Sequence, residues 1–114
     1  MDVLVLDDEA YRHRAFVRGL LNHNVTIVTT ASEAIAALKR RQWDAVFLDH
    51  DLRGVVENSG PGTGYEVAEW LAQNPDHQPP QIVIHSFNPS GAQRMQQALP
   101  NAAYRPGVWK VLDK

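Results

Sequence analysis

Five short apolar runs alternate with stretches of helical periodicity from one end of the chain to the other. The runs at residues 3–6 and 45–48 contain no polar residue, which is typical of strands buried on both faces of a sheet. Each of these two runs ends abruptly in aspartate. Strands and helices that alternate in this way indicate a parallel sheet with helices on both faces.

The pattern predicts strands at residues 3–6, 25–28, 45–48, 81–84 and 102–104, and helices at about residues 9–21, 30–41, 63–74 and 89–99. Two Thr-x-x-Glu sequences, which begin at Thr30 and Thr63, have the spacing of a capping box. Asn88 precedes a proline and is expected to cap the fourth helix. The apolar positions of the first helix that we expect to face the core are Phe16, Val17 and Leu20.

The connections between these elements restrict the topology. Right-handed crossovers leave few arrangements of five parallel strands, and the flavodoxin-like order 2-1-3-4-5 is the commonest. With 114 residues, the chain suits one domain better than two. We therefore predict a single α/β domain over residues 1–114 with a doubly wound, flavodoxin-like sheet. Too few residues follow Pro106 for a full last helix, so that helix is expected to be truncated or absent.

Composition excludes several kinds of function. The chain has no cysteine, so any metal must be bound by histidine or carboxylate ligands. The net charge of −2 provides no general basic field for nucleic acid. The apolar runs are far shorter than the roughly 20 residues of a membrane span, and no signal peptide is evident, so we expect a cytoplasmic protein without a membrane partner.

Charged and polar residues follow four of the predicted strands at their carboxyl ends, where ligands bind in this topology. Three or more carboxylates at one edge repel each other, and a hard divalent cation such as Mg²⁺ relieves that repulsion. The sequence therefore indicates a metal site. The residues that the predicted topology brings to this edge are Asp7, Asp8, Asp49, His50, Asp51, His85, Ser86 and Arg105.

Several of these residues suit a phosphate ligand. Ser86 can donate a hydrogen bond to a phosphoryl oxygen, and Arg105 can pair with it through its planar guanidinium group. The start of the fourth helix, at Asn88, points backbone N–H groups in the same direction. His50 and His85 are candidate general acid and base groups, although His85 could equally face the core.

These residues carry a resemblance to the receiver domains of two-component response regulators. The resemblance implies that Asp7, Asp8 and Asp49 hold Mg²⁺ together with the backbone carbonyl of Asp51, and that Asp49 accepts a phosphoryl group. The chain departs from the receiver pattern at Arg105, where receivers have lysine. It also departs in its long loop after Asp51 and in its short C-terminal segment.

A narrower family fits the sequence better. The chain is similar to cyclic-phosphate processing receiver domains in its Leu48-Asp49-His50-Asp51-Leu52 sequence, and the likeness covers nearly the whole chain. This resemblance implies a substrate with a cyclic phosphate, such as the 2′,3′-cyclic phosphate of an RNA end. The other segments that carry it are Leu6-Asp7-Asp8-Glu9, Thr63-Gly64-Tyr65 and His85-Ser86-Phe87-Asn88-Pro89-Ser90-Gly91.

Our first hypothesis is hydrolysis of a cyclic phosphate on an RNA end or a nucleotide, with Mg²⁺ or Mn²⁺ as cofactor. In this hypothesis the catalytic residues are Asp49, His50 and His85. The residues that bind the phosphate are Ser86, Asn88 and Arg105. The metal ligands are Asp7, Asp8, Asp49 and Asp51. Asp51 could instead orient a histidine. One alternative is a stand-alone receiver that a histidine kinase phosphorylates on Asp49. Another is a binder of nucleotides or RNA ends without catalysis.

Some conspicuous residues have a plainer interpretation. Arginines at positions 12, 14 and 18 are expected to form a solvated helix face. His13, on the apolar stripe of the first helix, is expected to be structural. The loop at residues 53–62 is either a lid or a solvent-exposed insertion. Trp109 lacks an obvious covering helix, and an exposed patch there would favour a homodimer.

Overall fold

A computed structural model describes residues 1–52 and 62–106, apart from the side chains of Ala10 and Tyr11. The predicted elements are present, with small shifts at their ends. The strands are β1 (Asp2–Leu6), β2 (Asn24–Val28), β3 (Ala45–Leu48), β4 (Gln81–Ile84) and β5 (Ala103–Tyr104). The helices are α1 (Ala10–Gly19), α2 (Ala31–Arg40), α3 (Gly64–Gln73) and α4 (Pro89–Ala98), with a short 3-10 helix at Pro75–His77.

The five strands form one parallel sheet in the order β2-β1-β3-β4-β5, which confirms the predicted flavodoxin-like α/β fold. The register aligns Leu6 with Leu48 and Leu48 with Ile84. The residue after each of these positions therefore stands at the same edge of the sheet, on three neighbouring strands.

The sheet separates two hydrophobic layers. The larger layer lies under α2, α3 and α4 and includes Leu6 and Leu48, whereas the smaller one includes Phe16 of α1 with Val5 and Phe47. Successive strand residues point to opposite faces. Asp7 lies two residues after Val5, and Asp49 lies two residues after Phe47. Both side chains therefore point to the same face as Val5 and Phe47, which is the face that α1 covers.

Two local predictions were wrong. Thr63 does precede α3, but its side chain makes no capping hydrogen bond, and the Glu66 carboxylate accepts the N–H of Gly62 at 2.7 Å. Val17 is 50% exposed, whereas Phe16 and Leu20 of the same helix are buried. The capping box at Thr30, in contrast, is complete in both directions.

Other predictions concern residues outside the described ranges. They are the loop at 53–61, the truncated or absent last helix, and the exposed patch at Trp109. Within the described ranges, no helix is long and apolar enough to cross a membrane.

Candidate functional site

The carboxyl edge of the sheet carries three side chains in fixed positions. Backbone N–H groups of Asp7, Asp49 and His85 donate to carbonyl oxygens of neighbouring strands, each at 3.1 Å. All three residues are buried. Because each backbone is held by the sheet ladder, the side chains are presented from a rigid platform rather than from a loop.

Three carboxylates converge at this edge, as the sequence predicted. Oxygens of Asp7, Asp8 and Asp49 lie within 4.8 Å of one another, close enough to bind one metal ion together. Burial raises the pKa of Asp49 to about 7, and the neighbouring Asp7 carboxylate adds to the increase. The sheet therefore holds Asp49 where its negative charge is costly unless a cation is close.

Arg12 supplies a cation to this cluster. Its Nε donates to Oδ2 of Asp7 at 2.6 Å, and its terminal nitrogen donates to Oδ1 of Asp7 at 2.9 Å and to Oδ2 of Asp49 at 3.1 Å. Only 11% of its side chain is exposed. The expectation that Arg12 belongs to a solvated helix face was wrong, because the two buried carboxylates bind it. Arg14 and Arg18 are exposed, as expected.

His85 lies beneath the cluster rather than in the open. Its ring packs edge-on against Phe16, with centroids 5.0 Å apart, and is only 1% exposed. Its Nε2 lies 3.7 Å from Oδ2 of Asp7 and has no hydrogen-bond partner within the described chain. Burial lowers the pKa of His85 to about 4, although the nearby Asp7 opposes the shift. The imidazole is therefore neutral at pH 7.

His50 occupies the opposite face of the sheet. Its Nδ1 donates to Oδ1 of Asp51 at 2.7 Å, and the same oxygen accepts the side-chain amide of Asn88 at 3.1 Å. The ring is fully buried beneath the start of α4. A Cβ on Gly91 would come within 2.4 Å of this ring, so only glycine fits there. His50 therefore holds Asp51, whose side chain is 41% exposed.

Two of the three predicted phosphate-binding residues, Ser86 and Asn88, lie at the start of α4. Ser86 is buried and its Oγ accepts the backbone N–H of Asn88 at 3.0 Å, while Asn88 caps the helix by accepting the N–H of Gly91. The Tyr104 hydroxyl donates to the Ser86 carbonyl at 3.1 Å. The backbone N–H of Arg105 donates to Ile84, and the residue is exposed.

A cleft of about 320 Å³ opens directly above the acidic cluster. The buried Asp49 and the largely buried Arg12 line it, and Phe87 is 59% exposed at its rim. Among the described residues, five predicted site residues do not line this cleft: Asp7, His50, His85, Ser86 and Arg105. The residues that do are Asp8, Glu9, Arg12, Asp49, Asp51, Phe87 and Asn88.

A family model described as the cyclic-phosphate processing receiver domain matches residues 3–101. The chain belongs to this family. Comparison with curated proteins gives no match. Solved structures of response-regulator receivers share the fold of this cyclic-phosphate processing receiver domain at low sequence identity.

Three of these structures illustrate the likeness. A CheY-like receiver domain from Methanospirillum hungatei is 18% identical with a TM-score of 0.68, covering 94% of this chain and 82% of its own. TrrA from Thermotoga maritima, in complex with Mg²⁺ and BeF, is 18% identical with a TM-score of 0.72, covering 95% and 87%. The Mn²⁺-bound response regulator Rcp1 is 19% identical with a TM-score of 0.74, covering 96% and 83%.

Sequence reasoning missed three residues of the cleft of this receiver domain, Glu9, Arg12 and Phe87. A signal for Arg12 was present in the sequence. It is the third residue of α1, and the positive end of a helix dipole disfavours a cation there. An arginine at that position, five residues after an aspartate at a strand end, indicates a nearby acidic partner. Glu9 and Phe87 lie in segments that carry the family resemblance, but nothing in the sequence assigns either of them a role.

Proposed function

We propose that this receiver domain is a metal-dependent phosphoesterase that hydrolyses a cyclic phosphate, such as the 2′,3′-cyclic phosphate of an RNA end or of a nucleotide. The observation that carries the proposal is the convergence of Asp7, Asp8 and Asp49 within 4.8 Å, with Asp8 and Asp49 lining an open cleft and Asp7 buried beside them. The family description supports the cyclic phosphate as substrate.

The residues present fit Mg²⁺ or Mn²⁺. Carboxylate oxygens are the ligands that these hard cations prefer. One buried polar atom at this edge, Nε2 of His85 beside Asp7, has no hydrogen-bond partner within the described chain. Two solved receiver structures are described with Mg²⁺ and Mn²⁺. When bound, such an ion polarises a phosphoryl oxygen and lowers the pKa of a coordinated water.

Asp51 is the group through which His50 can act on the cleft. We assign Asp7, Asp8 and Asp49 to holding the metal, with Asp51 as a further ligand or as the acceptor of a proton from water. The buried His50 ring donates to Asp51 and fixes the direction of that carboxylate. A proton-transfer role for His50 therefore passes through Asp51.

His85 can take part in the reaction only through a different carboxylate, Asp7. Its ring reaches the cluster through Asp7, from below, so its predicted role in proton transfer depends on Asp7 as an intermediary. Ser86, Asn88 and Arg105 are assigned to the phosphoryl oxygens. Of these three, Asn88 already lines the cleft, and its amide meets Asp51 there.

Phe87 favours a substrate that carries a nucleobase. Its ring is 59% exposed at the rim of a cleft whose other described lining residues are polar or charged. A base that stacks on an aromatic side chain contributes roughly 1–3 kcal/mol to binding. We expect Phe87→Ala to raise KM for a cyclic nucleotide and to leave turnover of a cyclic phosphate without a base unchanged.

The experiment is incubation of the purified protein with Mn²⁺ or Mg²⁺ and 2′,3′-cyclic mononucleotides or an RNA that ends in a 2′,3′-cyclic phosphate. Products are separated by chromatography. The proposal expects ring opening that is lost with EDTA and in Asp49→Asn, and is retained in Arg14→Gln, which changes an exposed arginine. Full activity in Asp49→Asn would contradict it.

A second candidate function is a stand-alone receiver phosphorylated by a histidine kinase. The buried Asp49 within an acidic cluster and the receiver fold favour it. Incubation with acetyl phosphate separates the two functions, since a stable phosphoryl group on Asp49 without ring opening supports signalling. Cyclic-nucleotide affinity with neither product would support a binding module instead.

A further inference from the structure

Arg12 binds the same oxygens that a metal ion at the acidic cluster needs. The guanidinium group contacts both oxygens of Asp7 and one oxygen of Asp49, at distances from 2.6 to 3.1 Å. Asp7 is fully buried, so it cannot turn outward to offer other lone pairs freely. A divalent cation bound between Asp7 and Asp49 would therefore compete with the guanidinium group for these oxygens.

Electrostatic repulsion also disfavours the presence of the divalent cation and the Arg12 guanidinium group on the same carboxylates. Positive charges in contact with the same carboxylates repel each other strongly where water is largely excluded. Only 11% of the Arg12 side chain is exposed, so solvent screens this repulsion weakly. Arg12 nevertheless lines the cleft, and its long side chain can leave the carboxylates without leaving the site.

The cleft gives the displaced guanidinium group a new partner. Its described lining residues include the carboxylates of Asp8, Glu9 and Asp51, and Arg12 is the one cationic side chain among them. A phosphate anion that enters meets mostly negative charge. Guanidinium is planar and matches two phosphate oxygens at once. A released Arg12 would thus be the nearest complementary group.

We propose that Arg12 is a resident counter-ion of Asp7 and Asp49 that a divalent cation displaces, and that the displaced guanidinium group then binds the phosphoryl group of the substrate. This inference rests on the proposed metal site. It makes the phosphate-binding form of the cleft depend on the metal, because the metal releases the residue that recognises the anion. Arg12 is in this account a substrate-binding residue rather than a structural one.

The test measures Mn²⁺ affinity and phosphate affinity separately, by calorimetry, in the wild type and in Arg12→Gln. Removing the competitor is expected to strengthen Mn²⁺ binding by about tenfold or more, because the metal no longer displaces charge-assisted hydrogen bonds. With Mg²⁺ saturating, the same variant is expected to bind inorganic phosphate about tenfold more weakly. Opposite changes in the two affinities distinguish this role from a simple loss of structure.

Matched variants make the result decisive. Arg14→Gln removes one charge from an exposed position of the same helix and is expected to change neither affinity. Arg12→Lys keeps the charge without the planar fork, and is expected to raise Mn²⁺ affinity less than Arg12→Gln does. It also serves as the test variant if circular dichroism shows that Arg12→Gln does not fold.

Unchanged or weaker Mn²⁺ binding in Arg12→Gln would overturn the inference and leave the proposed metal-dependent function standing. Unchanged phosphate binding would overturn the second half of the proposal. Absence of Mn²⁺ binding in the wild type and in both Arg12 variants would overturn the inference and the metal-dependent function together.

Discussion

Replacing Asp49 by asparagine is expected to stabilise the metal-free protein at pH 8. Burial and the Asp7 charge raise the pKa of Asp49 from 3.8 to about 7 in the folded protein. Each unit corresponds to about 1.4 kcal/mol, so the ionised carboxylate costs the fold at most on the order of 4 kcal/mol. The pKa of about 7 already includes the attraction of Arg12, so the amide avoids a net cost, and the weaker hydrogen bonds of an amide leave an expected gain of roughly 1–3 kcal/mol.

The sign of the pH dependence follows from the raised pKa. Between about pH 4 and pH 7 the folded state binds more protons at Asp49 than the unfolded state does, so its contribution to stability falls as the pH rises. Asparagine does not titrate. The advantage of Asp49→Asn should therefore be small near pH 4 and reach its full size above pH 7.

The assay is urea denaturation in EDTA at pH 4.5 and pH 8, with Asp76→Asn as a control at an exposed carboxylate. At pH 8 a gain of about 2 kcal/mol corresponds to roughly 10 °C in Tm for a domain of this size. Adding Mg²⁺ should stabilise the wild type and reduce the difference. An Asp49→Asn protein that is no more stable than the wild type at pH 8 without metal would refute the reasoning.

Three further predictions concern the surroundings of the cluster. Burial lowers the pKa of His85 to about 4, so the stability that its neutral ring contributes is lost as the pH falls from about 6.5 to 4. His85→Gln should flatten this part of the plot of stability against pH, and an unchanged plot would contradict the assignment. Gly91→Ala should destabilise by about 1–3 kcal/mol in thermal unfolding, because its Cβ meets the His50 ring at 2.4 Å; a neutral effect would mean that the ring can move. Asn88→Ala should cost about 1–2 kcal/mol in urea denaturation, since it removes a helix cap and a hydrogen bond to Asp51, whereas an effect near zero would contradict both contacts.

Much of the fold could be predicted because the central strands carry an unambiguous signal. Residues 3–6 of β1 and all residues of β3 are apolar, which is what burial on both faces requires. The exposure of Val17 could not be predicted, since apolar spacing alone does not distinguish the centre of a helix face from its margin. The capping box expected at Thr63 is absent, and Glu66 accepts the N–H of Gly62, one residue before the predicted donor.

Only those site residues that directly follow the strands could be placed from the sequence. Asp7 and Asp49 follow neighbouring strands, so topology alone brings them together. The position of Arg12 depends on how α1 packs against the sheet, and a single sequence does not reveal that geometry. The direction of His85 was left open, and the structure places its ring against Phe16 and Asp7 rather than in the cleft.

The central claim is that metal bound at the acidic cluster opens a cyclic phosphate. The most direct test titrates Mn²⁺ into the wild-type protein and measures, in the same samples, metal occupancy and the rate of ring opening of a 2′,3′-cyclic mononucleotide. The account predicts that the rate rises in proportion to occupancy and is absent in Asp49→Asn at the same concentrations. Full occupancy of the wild type without any ring-opened product would contradict it.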